Sequence, residues 1–477
     1  MTEPMRRIAL IAAAVLGPLL LTYLAYSQPG YFTSEQYLGG LLLLEFLAVA
    51  VWMYRKVFFP LIIVAFLLAG VDLPVGRVWA AARWVFLCVG AVVGAVIVFR
   101  ERRHHFGAFH IVALFAILAT LVSAAVSQFP SVTLLKALSV LLLFLYGSTG
   151  ARLAVTGREN RFFVGLLTGC EVFVGALAVL YAVGVGAMGN PNSLGAVMGV
   201  VGAPILLWGT LASEKSSDRN RRMVLFVIAL YLTYASHARA GMVAAVLASA
   251  LLLLPLRKYT LLAKGVTIVT ILVSASAVLQ PENFSNAVSS VMSSVVYKGV
   301  SEGGLLASRQ SPWQAAVDNI TKHPWFGIGL GTTNNSDAAN VRVGMFSSST
   351  AVTAENGSSY LSILAGVGVF GAIPFLLLLL MLLEKIVRTV VWMVRTRSAN
   401  HPAVPIAAVL VAGLFHAAFE DWLFAPGYHL CVLFWSLAFI FVDVAPSSIP
   451  RAAVAWRFRE VQRDFGDSHA KPATKFS

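Results

Sequence analysis

Two arginines lie in sequence contexts that suit the binding of a negatively charged group. Arg239 lies in the segment SHARAG at the end of an apolar run, and Arg309 lies in ASRQSPW at the start of a predicted short helix. A guanidinium group is permanently charged and can bind phosphate oxygens through two parallel hydrogen bonds. The pair therefore suits an anionic lipid head group. The alternative is a structural role at the membrane surface or in an ion pair with a carboxylate such as Glu302 or Asp337.

A carboxylate and a histidine are candidates for proton transfer. Glu355, in ENGSSYL, precedes an apolar run and could act as a general base if burial raised its pKa. It could equally be a helix-terminal charge that complements the helix dipole. His416 and Glu420, in HAAFED, lie one helical turn apart at the end of another apolar run. A hydrogen bond between helices is the simpler role for His416.

Three further polar residues flank apolar runs and could contact a ligand. Asn190 and Asn192 lie in GNPNSLG, where Asn-Pro indicates a turn that enters a helix. Both asparagines have this structural role as an alternative to ligand binding. Tyr360 belongs to the same segment as Glu355, and we assign it to substrate binding.

A short helix and a glycine-rich turn are predicted between two apolar runs. Pro312 is suited to the first turn of this helix, and Pro324 is expected to end it. Gly327, Gly329 and Gly331 follow in HPWFGIGLG and permit tight turns. No strand precedes these glycines and no lysine follows in the spacing of a phosphate-binding loop. We therefore predict that this segment is a turn, and an anion site is the second interpretation.

The chain is too apolar for a soluble protein of its length. Of its 477 residues, 58% are hydrophobic and 12% are charged. The apolar runs cover residues 8–26, 38–54, 57–71, 84–99, 106–126, 131–149, 163–187, 195–213, 223–236, 241–256, 265–280, 358–383, 403–419 and 428–446. The pattern predicts an all-α, polytopic integral membrane protein with about 14 transmembrane helices, within the range 12–14.

Basic residues set the predicted orientation, because Lys and Arg near span ends are retained in the cytoplasm. Most basic clusters fall on the same side as Arg6 and Arg7, so both termini are expected to be cytoplasmic. The predicted regions are N-terminal transmembrane helices at 1–280, a long periplasmic (outer) loop with short helices at 281–357, C-terminal transmembrane helices at 358–446 and a basic cytoplasmic tail at 447–477.

The formal charge of +14 is an orientation signal and a source of attraction to anionic membrane lipids. It does not indicate nucleic acid, because no basic patch is interleaved with exposed aromatic residues. Cys88, Cys170 and Cys431 all lie in apolar runs and lack metal-ligand spacing. We expect them to be small core residues, with no disulfide and no metal.

Four motifs occur in a fixed order between residues 185 and 440. They are GNPNSLG before a span, SHARAG after a span, SRQSPW with HPWFGIGLG in an outer loop, and SSYLSILAGVGVFG at the start of the next span. This set resembles the bacterial O-antigen ligase and polymerase superfamily of membrane glycosyltransferases. The terminal spans resemble the family in hydropathy alone.

The resemblance implies an activity and a location. A glycan would pass from a polyprenyl (undecaprenyl) pyrophosphate carrier to an acceptor glycan or glycolipid, in lipopolysaccharide or exopolysaccharide biosynthesis. The reaction would take place on the periplasmic face of the bacterial inner membrane, without a metal or other cofactor. Arg239 and Arg309 match the family's pyrophosphate-binding arginines. The implied catalytic residues are Arg239, Arg309 and Glu355, and the implied substrate-binding residues are Arg239, Arg309, Asn190, Asn192, Tyr360 and His416.

One departure from the family concerns its proposed base. The family usually carries His-Asn before the YLxxL segment, and the corresponding positions here are Gly357 and Ser358. Glu355 lies two residues upstream and could take the role of the histidine. The missing histidine favours a polymerase of the exopolysaccharide type over a ligase.

A transporter or lipid-glycan permease without catalysis is the alternative class. Such a protein would use charged groups near the bilayer midplane, and Glu45, Glu171 and His416 are the intramembrane residues available. These residues should face the bundle interior and find partners. A third class, a structural assembly subunit, would leave the outward arginines exposed and replaceable.

Overall fold

The computed structural model describes residues 22–23, 26–30, 45–70, 76–101, 105–185, 188, 190–261, 263, 307–332 and 356–446. The chain divides into two units, Met1–Phe58 and Phe59–Ser477. All regular elements within the described ranges are helices, which confirms the predicted all-α class. Most of the predicted outer loop and the whole predicted tail lie outside these ranges.

The helices of the described residues coincide with the predicted apolar runs between residues 54 and 253 and between 359 and 444, and one more helix lies at residues 307–322. They are α1 Tyr54–Leu68, α2 Gly76–Glu101, α3 Ala108–Val126, α4 Pro130–Val155, α5 Glu159–Ala182, α6 Pro191–Ala212, α7 Ser216–Ala235, α8 Arg239–Leu253, α9 Ala307–Lys322, α10 Ser359–Thr396, α11 Ala403–His416 and α12 His429–Val444. Helices α4 and α6 each contain one π-helical turn, at Gly147–Ala151 and Met198–Gly202.

Six helices of the described residues are long and apolar enough to cross a membrane. They are the apolar part of α2 together with α3, α4, α5, α6 and α10, while α8, α11 and α12 are apolar but shorter. The larger count of about 14 spans stays a prediction. Helix α10 extends to Thr396, well beyond the predicted end of its span at residue 383.

Helix α10 is interrupted at Gly368, which has φ 71° and ψ −179°. The chain segment after α9 pairs with the interrupted backbone. The Ile328 and Gly329 N–H groups donate to the carbonyls of Ala365 and Gly366 at 3.0 and 2.9 Å, and the Val369 and Phe370 N–H groups donate to those of Pro324 and Trp325 at 2.8 and 3.3 Å. Backbone groups freed by a helix break must find partners inside a membrane protein, and this segment supplies them.

The glycine-rich segment is a turn, as predicted. Gly327, Gly329 and Gly331 all have positive φ, at 70°, 109° and 65°. The N–H groups of Ile328 and Gly329 bond to α10, and that of Leu330 donates to the Ser123 hydroxyl of α3 at 3.2 Å. Because these consecutive donors are already paired within the protein, the segment does not form a phosphate cradle.

Helix α9 begins earlier in the sequence than predicted. It includes Ala307 and contains Pro312 in its interior, whereas the sequence placed Pro312 in its first turn. It ends at Lys322, two residues before Pro324, as expected.

Helices α6 and α8 cross at glycines. A Cβ atom at Gly199 would lie 2.2 Å from the Gly241 carbonyl oxygen, and one at Gly241 would lie 2.6 Å from that of Gly195. The backbones therefore touch, in the manner of small-residue crossings in membranes. Since Arg239 begins α8 and Asn192 lies in the first turn of α6, this crossing sets the relative positions of the two helix starts.

Most of the charged residues within the apolar helices find partners. Glu171 accepts a hydrogen bond from the Nε of Arg222 at 2.7 Å and also pairs with Arg221. Arg152, which is 4% exposed, pairs with Asp443 of α12. Glu45, in the first unit, is exposed.

The cysteine prediction holds in part. Cys170 and Cys431 are buried, as expected for core residues, but Cys88 is exposed.

Candidate functional site

An ion pair joins α9 to the loop between α11 and α12. The Nη2 group of Arg309 donates to Oε1 of Glu420, and the two side chains are 23% and 28% exposed. The sequence suggested Glu302 or Asp337 as the partner of Arg309. Both of those residues lie outside the described ranges. The partner of Arg309 in the structure is Glu420, which the fold brings into contact from 111 positions away in the sequence.

Arg239 lies near the same ion pair. It is partly exposed at the start of α8, and it lies close enough to Arg309 for the two positive charges to repel each other. We call Arg239, Arg309 and Glu420 the charged cluster. Its two guanidinium groups suit an anionic ligand.

The start of α10 is fixed to the α11–α12 loop by one hydroxyl group. Ser359 is fully buried, and its Oγ donates to the Glu420 carbonyl at 2.7 Å. The same Oγ accepts hydrogen bonds from the N–H groups of Trp422 and Leu423, each at 3.0 Å. The backbone on both sides of the Glu420 side chain is therefore held in place.

The two residues before Ser358 also belong to this region. The Asn356 N–H donates to Oδ2 of Asp421 at 3.3 Å, and the Gly357 carbonyl accepts a bond from the Trp313 indole at 3.3 Å. Gly357 has φ 62°, and a Cβ atom there would lie 3.4 Å from Cδ and Nη1 of Arg309. The segment that follows Glu355 thus packs directly on the side chain of Arg309.

A lysine on the predicted outer side of the membrane also joins this region, from α4. Lys136 donates to the Gly331 carbonyl at 2.6 Å and attracts Asp421 electrostatically. It therefore links the glycine-rich turn to the α11–α12 loop. Its position within an apolar run was the available sequence signal, since a lysine there needs an internal partner.

His416 and Tyr360 make structural hydrogen bonds in this region. Nδ1 of His416 accepts a bond from the Trp422 indole at 2.8 Å, so the expected hydrogen bond exists but lies within the α11–α12 connection. His416 is 3% exposed and also lies within electrostatic reach of Arg309. The Tyr360 hydroxyl donates to the Leu414 carbonyl at 2.6 Å and fixes α10 to α11.

The two asparagines form the turn that starts α6. Oδ1 of Asn190 accepts a bond from the Asn192 N–H at 2.9 Å and caps the helix. The next residue, Ser193, accepts a bond from the Tyr428 hydroxyl at 3.1 Å. Burial raises the pKa of Tyr428, its bond to Ser193 works against that shift, and the Glu420 charge adds to it. The start of α6 is thereby connected, through Tyr428, to the surroundings of Glu420.

Glu355 lies outside the described residues. Arg83 of α2 donates to the Gly427 carbonyl at 2.8 Å and supports the α11–α12 loop. Among the residues that the structure describes, no group of His, Cys, Asp and Glu has the arrangement of a metal site.

The described parts of the site come from distant parts of the chain and meet at one end of the bundle. This end, where α6, α8, α10 and α12 begin and α11 ends, we call the cluster end. Its partly exposed guanidinium groups suit a phosphate or pyrophosphate group.

Comparison with known families agrees with this assignment. The family model described as O-Antigen ligase matches residues 223–376, a range that includes Arg239, Arg309 and the start of α10. No curated protein matches the chain. Over the matched residues 223–376, the chain is therefore similar to the O-antigen ligase family.

Proposed function

We propose that the protein transfers a glycan from a polyprenyl pyrophosphate carrier, such as undecaprenyl pyrophosphate, to a hydroxyl group of an acceptor glycan or glycolipid. The observation that supports this most directly is the partly exposed guanidinium group of Arg309, which packs against Gly357 within the region that matches the family. An anion that binds both Arg239 and Arg309 would offset the repulsion between their positive charges. A pyrophosphate group, with several oxygens, can accept hydrogen bonds from both guanidinium groups.

The proposed reaction needs charge stabilisation above all. The acceptor oxygen attacks the anomeric carbon of the donor sugar, a new C–O bond forms, and the bond between that carbon and the pyrophosphate oxygen breaks. The electron pair of the broken bond stays on the pyrophosphate, where Arg239 and Arg309 stabilise it. The acceptor proton passes to a base.

We propose Glu355 as that base. Gly357, the position that corresponds to the family's histidine, packs against Arg309. Its neighbour Asn356 bonds to Asp421 in the same region. A carboxylate two residues upstream of Gly357 replaces the missing histidine in this account, and this replacement favours polymerisation of exopolysaccharide over ligation to lipopolysaccharide.

We further propose that the cluster end faces the periplasm. The loops at the opposite ends of the helices contain most of the basic residues, which favours a cytoplasmic location for them. The donor glycan and the acceptor would then meet in the long outer loop region, residues 281–357, while residues 447–477 form a tail on the cytoplasmic side.

Glycan formation in cells tests this function. Cells that lack the native gene are complemented with wild type, Arg239→Ala, Arg309→Ala or Glu355→Gln at matched membrane levels. Each variant should abolish the glycan product and leave unextended lipid-linked units to accumulate. Matched controls are Arg219→Ala and Glu214→Gln, two exposed charges near the start of α7, which should leave the product unchanged.

The outcomes separate the assignments. Full activity of Glu355→Gln with loss in both arginine variants would remove Glu355 as the base and keep the pyrophosphate site. Full activity in all three site variants would contradict the glycosyltransferase and favour a transporter.

A further inference from the structure

Arg309 has an anionic partner before any substrate is bound. Its guanidinium group donates to the Glu420 carboxylate, at a position where the proposed function requires it to bind pyrophosphate. A carboxylate and a phosphate both accept hydrogen bonds from the N–H edge of a guanidinium group. Glu420 and the donor therefore compete for Arg309.

The backbone of Glu420 is held, whereas its side chain is partly exposed. The Glu420 carbonyl, and the two residues Trp422 and Leu423, are bound to the buried Ser359 hydroxyl. The two side chains of the ion pair are instead 23% and 28% exposed. A partly exposed ion pair contributes little to stability, so a ligand with more charge can replace it.

The negative charge of Glu420 acts on more than one neighbouring group. Arg309 and Arg239 repel each other, and Glu420 is the acidic group seen in direct contact with Arg309 among the described residues. Glu420 acts electrostatically on Tyr428 too, which bonds to the start of α6. Its carboxylate thus lowers the positive potential of the charged cluster when no donor is present.

We propose that Glu420 is an exchangeable counter-ion, which binds Arg309 in the donor-free protein and is displaced by the donor's pyrophosphate group. This inference rests on the proposed function and adds a residue to it. Displacement of Glu420 limits donor affinity. Return of Glu420 to Arg309 after transfer promotes release of the carrier pyrophosphate, which would otherwise stay bound to two arginines.

Two other roles for Glu420 make different predictions. If Glu420 served to hold Arg309 in its binding position, its loss would weaken donor binding. If Glu420 were the base, its loss would lower kcat and leave donor binding unchanged. An arginine-bound carboxylate is a weak base, because the positive charge stabilises its ionised form.

Binding of farnesyl pyrophosphate to the full-length protein in lipid nanodiscs distinguishes these roles. The amide in Glu420→Gln has almost the same shape but no charge, so this variant should bind the probe about two- to fivefold more tightly than wild type. Glu420→Asp keeps the charge but is one methylene shorter, and its affinity should lie between the two. Glu384→Gln removes a carboxylate that pairs with Arg388 of α10 and is the matched control, with unchanged affinity expected.

A double variant links the effect to Arg309. In an Arg309→Ala background, Glu420→Gln should gain little or no affinity, because the competition no longer exists. Weaker or unchanged binding in Glu420→Gln would contradict the proposal that pyrophosphate displaces Glu420 from Arg309. Wild-type affinity in Arg309→Ala alone would instead overturn the pyrophosphate site of the proposed function, so the two failures are distinguishable.

Discussion

At the scale of single residues, Ser359 fixes the position of the α11–α12 loop relative to α10. Its buried hydroxyl donates one hydrogen bond and accepts two, all with the α11–α12 loop. Ser359→Ala would leave the N–H groups of Trp422 and Leu423 without this acceptor. We expect a loss of about 1–3 kcal/mol in the free energy of unfolding, measured by thermal unfolding in detergent.

A second serine provides the control for this change. Ser249 of α8 donates to the Ala245 carbonyl of its own helix at 2.7 Å, and this bond does not join α8 to a loop. Ser249→Ala should therefore leave the unfolding temperature close to that of wild type. Equal unfolding temperatures for the two variants would show that Ser359 does not hold the loop.

The residue types of the site were partly predictable from the sequence. An arginine among small residues at a span end, Arg239, and another at the start of a short helix, Arg309, indicated an anion site, which stays a prediction. In the structure the two side chains are within electrostatic reach of each other. Glu420 was noted in the sequence, but its partner was not. Pairing between residues 111 positions apart follows from how the helices pack, which neither propensity nor local spacing encodes.

At the scale of elements, the break in α10 depends on a glycine. A Cβ atom at Gly368 would lie 2.4 Å from the Phe326 nitrogen and 2.4 Å from the Trp325 carbonyl atoms, and the residue has φ 71°. Gly368→Ala would force apart the two segments whose backbones pair here. Backbone strain alone costs about 1–3 kcal/mol, so we expect a clear fall in unfolding temperature and in the yield of folded protein.

The control for Gly368 is a helical glycine in open space. A Cβ atom added at Gly169 of α5 would meet no neighbouring atom within 4 Å, and Gly169→Ala should not lower the unfolding temperature. A Gly368→Ala protein as stable as Gly169→Ala would mean that the break in α10 is not required.

The α6–α8 crossing allows a separate prediction about Arg239. Gly199→Ala would place a methyl group 2.2 Å from the Gly241 carbonyl and push the starts of the two helices apart. Because Arg239 lies two residues before Gly241, we expect weaker binding of farnesyl pyrophosphate in nanodiscs. Gly175→Ala, in an open position of α5, is the control that should bind like wild type.

The sequence predicted the position of α10 but not its interruption. The apolar run at 358–383 is continuous, and a glycine within it permits a break without requiring one. The cause lies in residues 324–330, whose backbone groups pair with those beside Gly368. The positive φ of the three turn glycines was foreseeable, whereas their partner in space was not.

At the scale of the whole molecule, hydropathy was the most informative property of the sequence. It placed the helices between residues 54 and 253 and between 359 and 444, because the cost of an unpaired backbone in lipid leaves few alternatives to a helix. It did not predict helix length beyond the apolar core, as the extension of α10 to Thr396 shows. Polar residues continue that helix outside the run.

The orientation of the bundle gives the last prediction. Val185, in the loop before α6 at the cluster end, and Ser217, in the first turn of α7 at the opposite end, are both exposed. In a variant with Cys88, Cys170 and Cys431 replaced by alanine, a single Val185→Cys should react with a membrane-impermeant maleimide in cells whose outer membrane alone is permeabilised. A single Ser217→Cys should react after the inner membrane is opened as well, because basic residues retain its loop in the cytoplasm. The reverse pattern would place the charged cluster in the cytoplasm, where the proposed transfer to a periplasmic acceptor could not occur.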